Sequence, residues 1–377
     1  MVSRYRVGIF VVAGLTLLAG CGSDDGSDTA ADTPSPSASA SAEPTPSAAS
    51  AEPTPSATTA TTGPTASAPP TSAAAAGVDY VVGGVWHQPD GDTVDLPKRG
   101  YSGAVLWNGK LVATRYDGEA FSYADVIDGD GKLVETLRTT SEVVVNDEGT
   151  TLAWVDTDGD VMTAWSDGRV QIGKVSLAAP GEGVAYYAAA VTGGPNCHED
   201  VDGCIVYLNS RTQKKPRTFD SHGVNDNPLP FALAFNDVTG DSLVTYTDKI
   251  SDDGSCGGLV DIGSEVVKPR WKTCDHTTRT ISPDGKHVIG WPAYLDGIGF
   301  GSISVLDAAT GKETGRYAPE GGFMSSSAWT SDGRVLFDVY SGGKWQLIAM
   351  SPSGEITEIG KAVAGEDVDS PFAFIAH

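Results

Sequence analysis

Basic residues are scarce in this sequence, and cysteines are rare. Lysine and arginine number 25 against 49 aspartates and glutamates, which gives a formal net charge of −24. Proteins that bind nucleic acids neutralise phosphates mainly with lysine and arginine, so this balance argues against a nucleic-acid partner. Five cysteines in 377 residues exclude a small domain held together mainly by disulfides. The length is ample for a large hydrophobic core.

A long apolar segment is also missing. The apolar run from Val7 to Leu18 has about 12 residues, whereas a membrane-spanning helix needs about 20. Arg4 and Arg6 precede this run, and Leu18-Ala19-Gly20-Cys21 follows it, which is the order of a secretory signal peptide. The segment resembles a bacterial lipoprotein signal. That resemblance implies a signal peptide at residues 1–20, cleavage before Cys21 and acylation of its thiol, for example with palmitate.

Such acylation predicts a protein anchored to the cell membrane by its N-terminal lipid and exposed on the extracytoplasmic side. A plain signal peptide with a chance cysteine is the alternative. Beyond the cysteine, residues 22–76 contain no aromatic residue, no leucine, isoleucine or valine, and no lysine or arginine. Such a segment cannot bury enough apolar surface to offset the entropy of ordering. We therefore expect residues 21–76 to form a lipidated, disordered linker rich in serine, threonine, alanine and proline, whose glycosylation the composition leaves open.

Residues 77–377 have a different pattern. Short runs rich in valine, isoleucine, threonine, tyrosine and tryptophan alternate with glycine, aspartate, asparagine and proline, and no amphipathic helical stretch is evident. This pattern predicts an all-β domain. Tight turns recur at a mean spacing near 45 residues, and their glycines are Gly109, Gly149, Gly183, Gly240, Gly285 and Gly333. A repeat of about 40–50 residues with four short strands predicts a β-propeller blade.

The fifth repeat illustrates the predicted blade, with strands a to d running outward from the propeller axis. They are expected at Arg279–Ser282, Lys286–Trp291, Ile303–Asp307 and Glu313–Tyr317, and the sixth repeat places them at Ser327–Thr330, Arg334–Tyr340, Lys344–Met350 and Glu355–Gly360. The turn Ser282-Pro283-Asp284-Gly285-Lys286 resembles that of WD40-like or TolB-type propeller repeats. The Gly-His and Trp-Asp pairs of true WD40 blades are absent, so the resemblance implies the propeller architecture and no narrower family.

Two fragments remain outside the six repeats. Residues 79–96 read as strands b, c and d, and Ser370–Ala376 reads as an innermost strand a. Pairing them would make a seventh blade and close the ring, which removes the exposed sheet edges of an open structure. We therefore predict a seven-bladed propeller closed by its N- and C-terminal strands.

Long loops on one face of the ring are the predicted binding surface, because binding residues concentrate on loops carried by a rigid scaffold. The long connections are expected at 192–203, 220–230, 250–258 and 292–302, on the face opposite the tight turns. The N-terminal linker should leave from the tight-turn face. The candidate binding residues on the long-loop face are His198, Glu199, Asp200, Asp202, His222, Asp252, Asp253, Trp291, Tyr294 and Phe300.

The four cysteines of the domain are expected to form two local disulfides. Cys197 and Cys204 bracket one predicted b-to-c loop, whereas Cys256 begins a strand c and Cys274 ends the adjacent strand d. Antiparallel neighbours bring such positions within disulfide reach, and an exported protein folds in an oxidising compartment. The alternative is a Cys-His metal site, but the paired Cys-x-x-Cys spacing of such sites is missing.

Signatures of a metal, a cofactor or catalysis are weak. The acidic turn at 156–160 lacks the glycine that an EF-hand loop needs at its sixth position, which is Val161 here. No HExxH, Gly-x-Ser-x-Gly or phosphate-loop motif is present. The segment 307–312 is similar to one quinoprotein repeat but lacks the tryptophan that follows it there. We therefore predict no metal, no cofactor and no catalytic residue. The alternative is that the acidic residues of the loops at 199–202 and 252–253 gather on one face and bind a cation or a basic partner.

These observations favour a monomeric, lipid-anchored propeller that acts as a non-catalytic binding or scaffolding module for a protein or glycan ligand. The alternative is an exported propeller hydrolase or lyase that acts on glycans or peptides, since propellers carry many unrelated functions. The central funnel distinguishes the two. Convergent carboxylates, or a histidine with a carboxylate, in a deep polar pocket would favour catalysis, and a flat aromatic-rimmed face would favour binding.

Overall fold

The computed structural model describes residues 77–116, 122–176, 186–200, 203–211, 215–240, 242–295, 297–367 and 369–376. The fold is all-β over these ranges, with no helix assigned in them. No helix long and apolar enough to cross a membrane was found among the described residues. The predicted signal peptide, Cys21 and the linker lie outside the described residues.

The 28 strands of the described residues form six sheets, and each sheet is an antiparallel meander of four strands or a pair of such meanders. Five sheets have four strands each: β8 (Val144–Val145), β9 (Leu152–Val155), β10 (Asp160–Trp165), β11 (Gly168–Lys174); β12 (Tyr186–Thr192), β13 (Ile205–Ser210), β14 (Arg217–Asp220), β15 (Asn225–Asp226); β16 (Ala234–Val238), β17 (Leu243–Ser251), β18 (Gly254–Asp261), β19 (Pro269–Thr273); β20 (His276–Ile281), β21 (His287–Pro292), β22 (Ile303–Asp307), β23 (Glu313–Tyr317); and β24 (Ser327–Trp329), β25 (Val335–Ser341), β26 (Lys344–Met350), β27 (Ile356–Ala364).

The sixth sheet has eight strands and joins the two ends of the domain. Its strands are β1 (Tyr80–Val82), β2 (Val85–His87), β3 (Thr93–Asp95), β4 (Gly103–Trp107), β5 (Lys110–Tyr116), β6 (Ser122–Ile127), β7 (Leu133–Thr139) and β28 (Phe372–Ala376), in the order β3-β2-β1-β28-β4-β5-β6-β7. The C-terminal strand pairs antiparallel with β1, with Val81 opposite Ala373. It also makes a short parallel pairing with β4, with Ile375 opposite Ala104. The sheet therefore consists of two four-stranded meanders, β28-β1-β2-β3 and β4 to β7.

The sequence explains the strands and their turns locally. Strand β22 reads Ile-Ser-Val-Leu-Asp, with four of its five residues buried, because both faces of a strand packed between two sheets are covered. The β4–β5 hairpin turns through Asn108 and Gly109, both with positive φ (48° and 71°). Asparagine followed by glycine is the pair that such two-residue hairpins prefer. The predicted bounds of β22, β23 and β26 agree with the structure at both ends.

The core lies between the faces of successive sheets. One hydrophobic cluster joins Ile289, Val305 and Phe337 from two neighbouring sheets, and the fully buried Trp345 belongs to another. Tryptophans also link sheets through their ring nitrogens, since Trp329 Nε1 donates to the carbonyl of Thr280 over 3.0 Å. Layered packing of four-stranded sheets in this manner is propeller-like.

In each four-stranded sheet the first-to-second and third-to-fourth connections lie at one end, which we call the turn end. The opposite end, with the second-to-third connection and the link to the next sheet, is the loop end. Three predicted connections differ from this arrangement. Gly183, the glycine predicted for the turn of the third repeat, lies outside the described residues. In the chain it falls between β11 and β12, which belong to different sheets. The connection 193–204 joins β12 to β13, which are the first and second strands of their sheet. The predicted b-to-c loop at 192–203 therefore belongs to the turn end.

The other two differences concern loop length. The predicted loop 250–258 is the two-residue tip Asp252–Asp253 of the long β17–β18 hairpin. The predicted loop 220–230 contains the short strand β15. The connection 292–302 is long, as predicted. With the anchor of the third repeat moved from Gly183 to Gly194, the glycine spacings become more even, at 40, 45, 46, 45 and 48 residues.

Candidate functional site

A cavity of about 620 Å³ is the main candidate site. Its wall takes residues from β4, β8, β12, β16, β20, β24 and β28, which we call the inner strands. One inner strand comes from each four-stranded sheet and one from each half of the eight-stranded sheet. Ligand pockets commonly have volumes of roughly 300–1,000 Å³, so the cavity is large enough for a small organic molecule.

Arg279, on the inner strand β20, brings a positive charge into this cavity. Its guanidinium carbon lies 4.1 Å from the centroid of the Trp291 ring. Arginine stacks favourably on an aromatic face because of the ring quadrupole. The indole is held in place, since Trp291 Nε1 donates to Ser327 Oγ over 3.0 Å and the ring stacks on Phe300 at 4.2 Å. Trp291 therefore orients the guanidinium, and this contact leaves the N–H donors of the guanidinium unused.

The charge of Arg279 has no close counter-ion. Burial lowers the pKa of Arg279, and the charges of Tyr187, Glu142 and Asp237 act in the opposite direction. Among the described residues, no carboxylate oxygen within 4.0 Å and no hydrogen bond is found for this guanidinium. Its five N–H donors are thus free to bind an anionic group.

Glu142 lies on the wall of the same cavity, just before the inner strand β8. Burial raises the pKa of its carboxyl group, and the positive charge of Arg279 lowers it. Its side chain remains accessible to solvent inside the cavity, although protein surrounds it. The carboxylate accepts no hydrogen bond from the residues that the structure describes. A Cβ atom at position 103 would lie 3.1 Å from Oε1 of Glu142, so Gly103 leaves room for the carboxylate.

Two further carboxylates line the cavity, but they hold neighbouring backbone. Asp237 Oδ2 accepts a hydrogen bond from the N–H of Ile281 over 2.7 Å, and Oδ1 accepts one from Val238 over 2.9 Å. Burial raises the pKa of Asp237 to about 6, with a further increase from the charge of Asp147. Asp147 Oδ2 accepts a hydrogen bond from the N–H of Gly240 over 2.8 Å. Both carboxylates thus link different sheets at the cavity wall.

Convergent carboxylates in a deep polar pocket would favour catalysis, and the cavity meets this criterion in part because three carboxylates line it. General acid–base hydrolysis of a glycosidic bond, however, uses two carboxylates that face the substrate. Asp147 and Asp237 are occupied by backbone donors, and among the described lining residues there is no histidine or cysteine. Glu142 and Arg279 are therefore the two charged groups available to a ligand. This arrangement suits binding of a charged molecule better than bond cleavage.

Both predicted disulfides are present in the structure. Cys197 is joined to Cys204, with a sequence separation of 7, and Cys256 is joined to Cys274, with a separation of 18. The Cys256–Cys274 bond lies between β18 and the end of β19, as the antiparallel pairing predicts. The Cys197–Cys204 bond closes the β12–β13 connection, at the turn end and not in a second-to-third loop. The search for metal sites found no group of three candidate ligand side chains in the described ranges.

The predicted binding residues do not share one face. His198 stacks on Trp165 at 3.8 Å, with Nδ1 buried and unpartnered among the described residues, and its Nε2 lies 3.6 Å from Glu199 Oε1. His222 Nε2 lies 2.7 Å from the carbonyl oxygen of Asp200. The candidates His198, Glu199, Asp200 and His222 are at the turn end of their sheet. Asp202 lies outside the described residues.

The remaining candidates are at the loop end. Asp252 and Asp253 are exposed at the β17–β18 tip, and Tyr294 is 55% exposed on the 292–302 connection. Phe300 is only 2% exposed and packs in the core, and Trp291 contacts the cavity through Arg279. The described candidates thus lie at two different ends of their sheets, because the 192–203 connection is at the turn end and not at the loop end.

Arg279 and Glu142 were missed by the sequence reasoning. Each is an isolated charged residue, and 137 positions separate them in the chain. A partial signal was available, because both are charged residues at or beside the first strand of a repeat, where most side chains are small or apolar. Asn236, Asp237 and His276 are further polar residues on such strands. Aligning the repeats on their turn glycines would have shown these two departures.

Comparisons with known proteins show likeness at the level of structure only. No family model matches the sequence, and no curated protein matches it. Among solved structures, TolB from Acinetobacter baumannii is 15% identical with a TM-score of 0.44, covering 72% of this chain and 65% of that chain. The Cps50 (Swd1) β-propeller domain of Myceliophteria thermophila is 11% identical with a TM-score of 0.48, covering 72% and 88%.

Prolyl oligopeptidase B from Galerina marginata is 10% identical with a TM-score of 0.47, covering 72% of this chain and 43% of that chain. All three TM-scores lie below 0.5.

Proposed function

We propose that this protein is a lipid-anchored, extracytoplasmic β-propeller of seven blades that acts as a non-catalytic binding module, with a ligand held in the central cavity. The observation that carries the proposal is the Arg279 guanidinium, which is stacked on Trp291 in the cavity wall and has no counter-ion within 4.0 Å among the described residues. A desolvated cation without a partner is costly for folding, and an anionic ligand removes that cost.

Seven blades and a closed ring are supported by the composition of the cavity wall. Seven inner strands contribute to one cavity, and each belongs to a separate four-stranded meander. The C-terminal strand β28 acts as the innermost strand for β1, β2 and β3, which come from the other end of the domain. Closure by strands from both ends leaves no meander without a neighbour and protects the sheet edges.

The membrane anchor rests on the N-terminal sequence. Acylation of Cys21 after cleavage at residue 20 would attach the protein to the membrane, and the linker would hold the folded domain away from it. The described chain begins at the turn end, where a Cβ atom on Gly77 would lie 3.3 Å from Asp332 in the β24–β25 turn. Glu142 and Trp291 lie at the loop ends of their sheets. The ligand would thus enter from the side that faces away from the membrane.

The lipid anchor can be tested by metabolic labelling of the full chain with an alkyne analogue of palmitate, in a bacterial host that processes lipoproteins. We expect labelling of the membrane fraction, and we expect its loss in Cys21→Ser. A labelled Cys21→Ser variant, or an unlabelled parent protein that stays in the cytoplasm, would contradict the anchor.

The binding function can be tested by calorimetry on the detergent-solubilised full chain. The probes are small molecules that carry a carboxylate group. Acetate, benzoate and lactate are monoanions, whereas amino acids and short peptides are zwitterions. We expect at least one probe to bind the parent protein, and at least tenfold weaker binding to Arg279→Gln. The exposed Arg316 on β23 provides the matched control, Arg316→Gln, which should bind as the parent does. Absence of binding by all of these probes, or cleavage of peptide or glycan probes that depends on Glu142, would overturn the proposal.

A further inference from the structure

Two charges of opposite sign that have no partner among the described residues face the same cavity. Arg279 comes from β20 and Glu142 precedes β8, and two other inner strands, β12 and β16, lie between them in chain order. The two side chains are more than 4.0 Å apart, because no ion pair joins them, yet each charge influences the pKa of the other. The cavity therefore presents a separated cation and anion instead of a closed salt bridge.

We propose that the cavity ligand is a small zwitterion of the amino-acid or short-peptide class, whose carboxylate binds Arg279 and whose ammonium group binds Glu142. This inference rests on the proposed binding function and specifies its ligand. A guanidinium and a carboxylate group can form two parallel hydrogen bonds, and an ammonium group can donate three to the opposite wall. A ligand with both charges would satisfy both side chains in one molecule.

The overall charge of the cavity supports a zwitterion over a simple anion. Glu142, Asp147 and Asp237 carry negative charge against the single guanidinium of Arg279. A dianion such as a phosphate monoester would meet an excess of like charge, which opposes binding. An ammonium group near Glu142 offsets part of this excess. A purely cationic ligand, in contrast, would be repelled by Arg279 and would leave its donors unused.

The surroundings of the two groups are suited to selectivity. Arg279 cannot swing freely, because Trp291 is itself held by Ser327 and Phe300. On the other wall, Gly103 provides the space beside the Glu142 carboxylate, and any larger residue there would fill it. A ligand that meets both charges is selected by the distance between its own charged ends, and the orientation of the guanidinium against Trp291 reduces the entropy lost on binding.

The test compares peptides that differ only in their end charges. Alanine, dialanine, trialanine and tetraalanine are titrated into the detergent-solubilised full chain, together with the N-acetylated and C-terminally amidated form of each. We expect one length to bind most tightly. For that length we expect at least a tenfold loss of affinity on acetylation and at least a tenfold loss on amidation.

Variants then assign each end to its side chain. Glu142→Gln should weaken the free peptide at least tenfold and leave the affinity for the N-acetylated peptide unchanged, because that peptide has already lost its ammonium group. Arg279→Gln should behave in the same way toward the amidated peptide. Glu320→Gln, an exposed acid on the β23–β24 connection outside the cavity wall, is the matched control and should change neither affinity. Thermal unfolding of each variant verifies that it is folded.

The outcomes separate this inference from the proposed function. If acetate, benzoate or N-acetylated peptides bind as tightly as free peptides in an Arg279-dependent manner, the cavity is an anion site and the zwitterion inference is wrong. If free peptides bind but Glu142→Gln has no effect, the assignment of the ammonium group is wrong. If none of these molecules binds, both the inference and the proposed binding function fail.

Discussion

Removal of the C-terminal strand tests the proposed closure most directly. Deleting residues 371–377 from the full chain removes β28, in which Phe372, Phe374 and Ile375 are exposed by only 7%, 8% and 1%. Burial of each such side chain stabilises a fold by about 1.5–3 kcal/mol, so the three together contribute roughly 5–9 kcal/mol. The backbone pairing of β28 with β1 and β4 is lost as well.

That loss is comparable with the whole stability of a typical domain, about 5–15 kcal/mol. We therefore expect the truncated protein to lose cooperative unfolding. The assay is thermal and urea denaturation followed by circular dichroism and by tryptophan fluorescence, with both probes compared in the parent and truncated chains. A single sharp transition in the truncated chain, close to that of the parent, would refute the reasoning.

A point substitution provides a finer version of the same test. Phe374→Ala leaves the strand in place and should reduce the free energy of unfolding by about 3–5 kcal/mol, as large-to-small changes in packed cores do. The matched control is Ile356→Ala on the outer strand β27, where the side chain is 42% exposed. The control should change the free energy by less than about 1 kcal/mol. Equal effects of the two substitutions would show that β28 is not a central packing element.

Three further predictions concern stability. Asp125 is fully buried and accepts hydrogen bonds from Arg99 (2.7 Å), Arg115 (3.0 Å) and Thr136 (2.7 Å). Asp125→Ala leaves two arginines without their counter-charge, and it should reduce the free energy of unfolding in urea by about 3–5 kcal/mol. In the control, removing the exposed Lys132 of the Asp130–Lys132 pair should leave the urea midpoint unchanged. Gly257→Ala should destabilise the domain by more than about 2 kcal/mol, because a Cβ atom there would collide with the carbonyl oxygen of Tyr246 on β17. The control Gly301→Ala should leave the stability unchanged, since a Cβ atom there would have no other atom within 4 Å. Equal urea midpoints for the two variants would contradict the packing of β18. The pKa of folded Asp237 is raised to about 6 from 3.8, so the folded state binds more protons than the unfolded state between about pH 4 and 6. Ionisation of Asp237 therefore reduces stability as the pH rises through this range, by at most about 3 kcal/mol. The unfolding free energy of the parent minus that of Asp237→Asn should fall over this range and level off above about pH 6, and a difference that stays constant with pH would show that Asp237 is not buried in this way.

Much of the strand pattern was predictable because turn chemistry is local. The Asp307–Lys312 turn bounds β22 and β23, and both strands were placed correctly from the residues alone. The terminal strands were also recognised, since residues 79–96 repeat the pattern of a blade that lacks its first strand. The third repeat was misplaced, because the disulfide-closed connection 193–204 is longer than the other first-to-second turns and conceals the turn signal.

The candidate site was far less predictable. Its wall is formed by seven strands distributed over nearly 300 residues, and the two groups that matter, Glu142 and Arg279, are single charges without a motif. The aromatic residues at 291 and 300 were recognised as notable, but their stacking under Arg279 depends on which strands become neighbours. Residues at the turn and loop ends were combined into one surface for the same reason.

The sequence by itself determined the all-β class, the repeated four-stranded meander, the two disulfide pairs and the expectation of an acylated N-terminus, because each depends on residues close together in the chain or on adjacent strands. The tertiary structure alone decided that the C-terminal strand, besides its predicted pairing with β1, also pairs with β4, and that Arg279 and Glu142 face one cavity without neutralising each other. Charges on strands that are distant in sequence acquire a common environment only when the sheets bring those strands to the wall of one cavity, where both side chains can meet the same ligand.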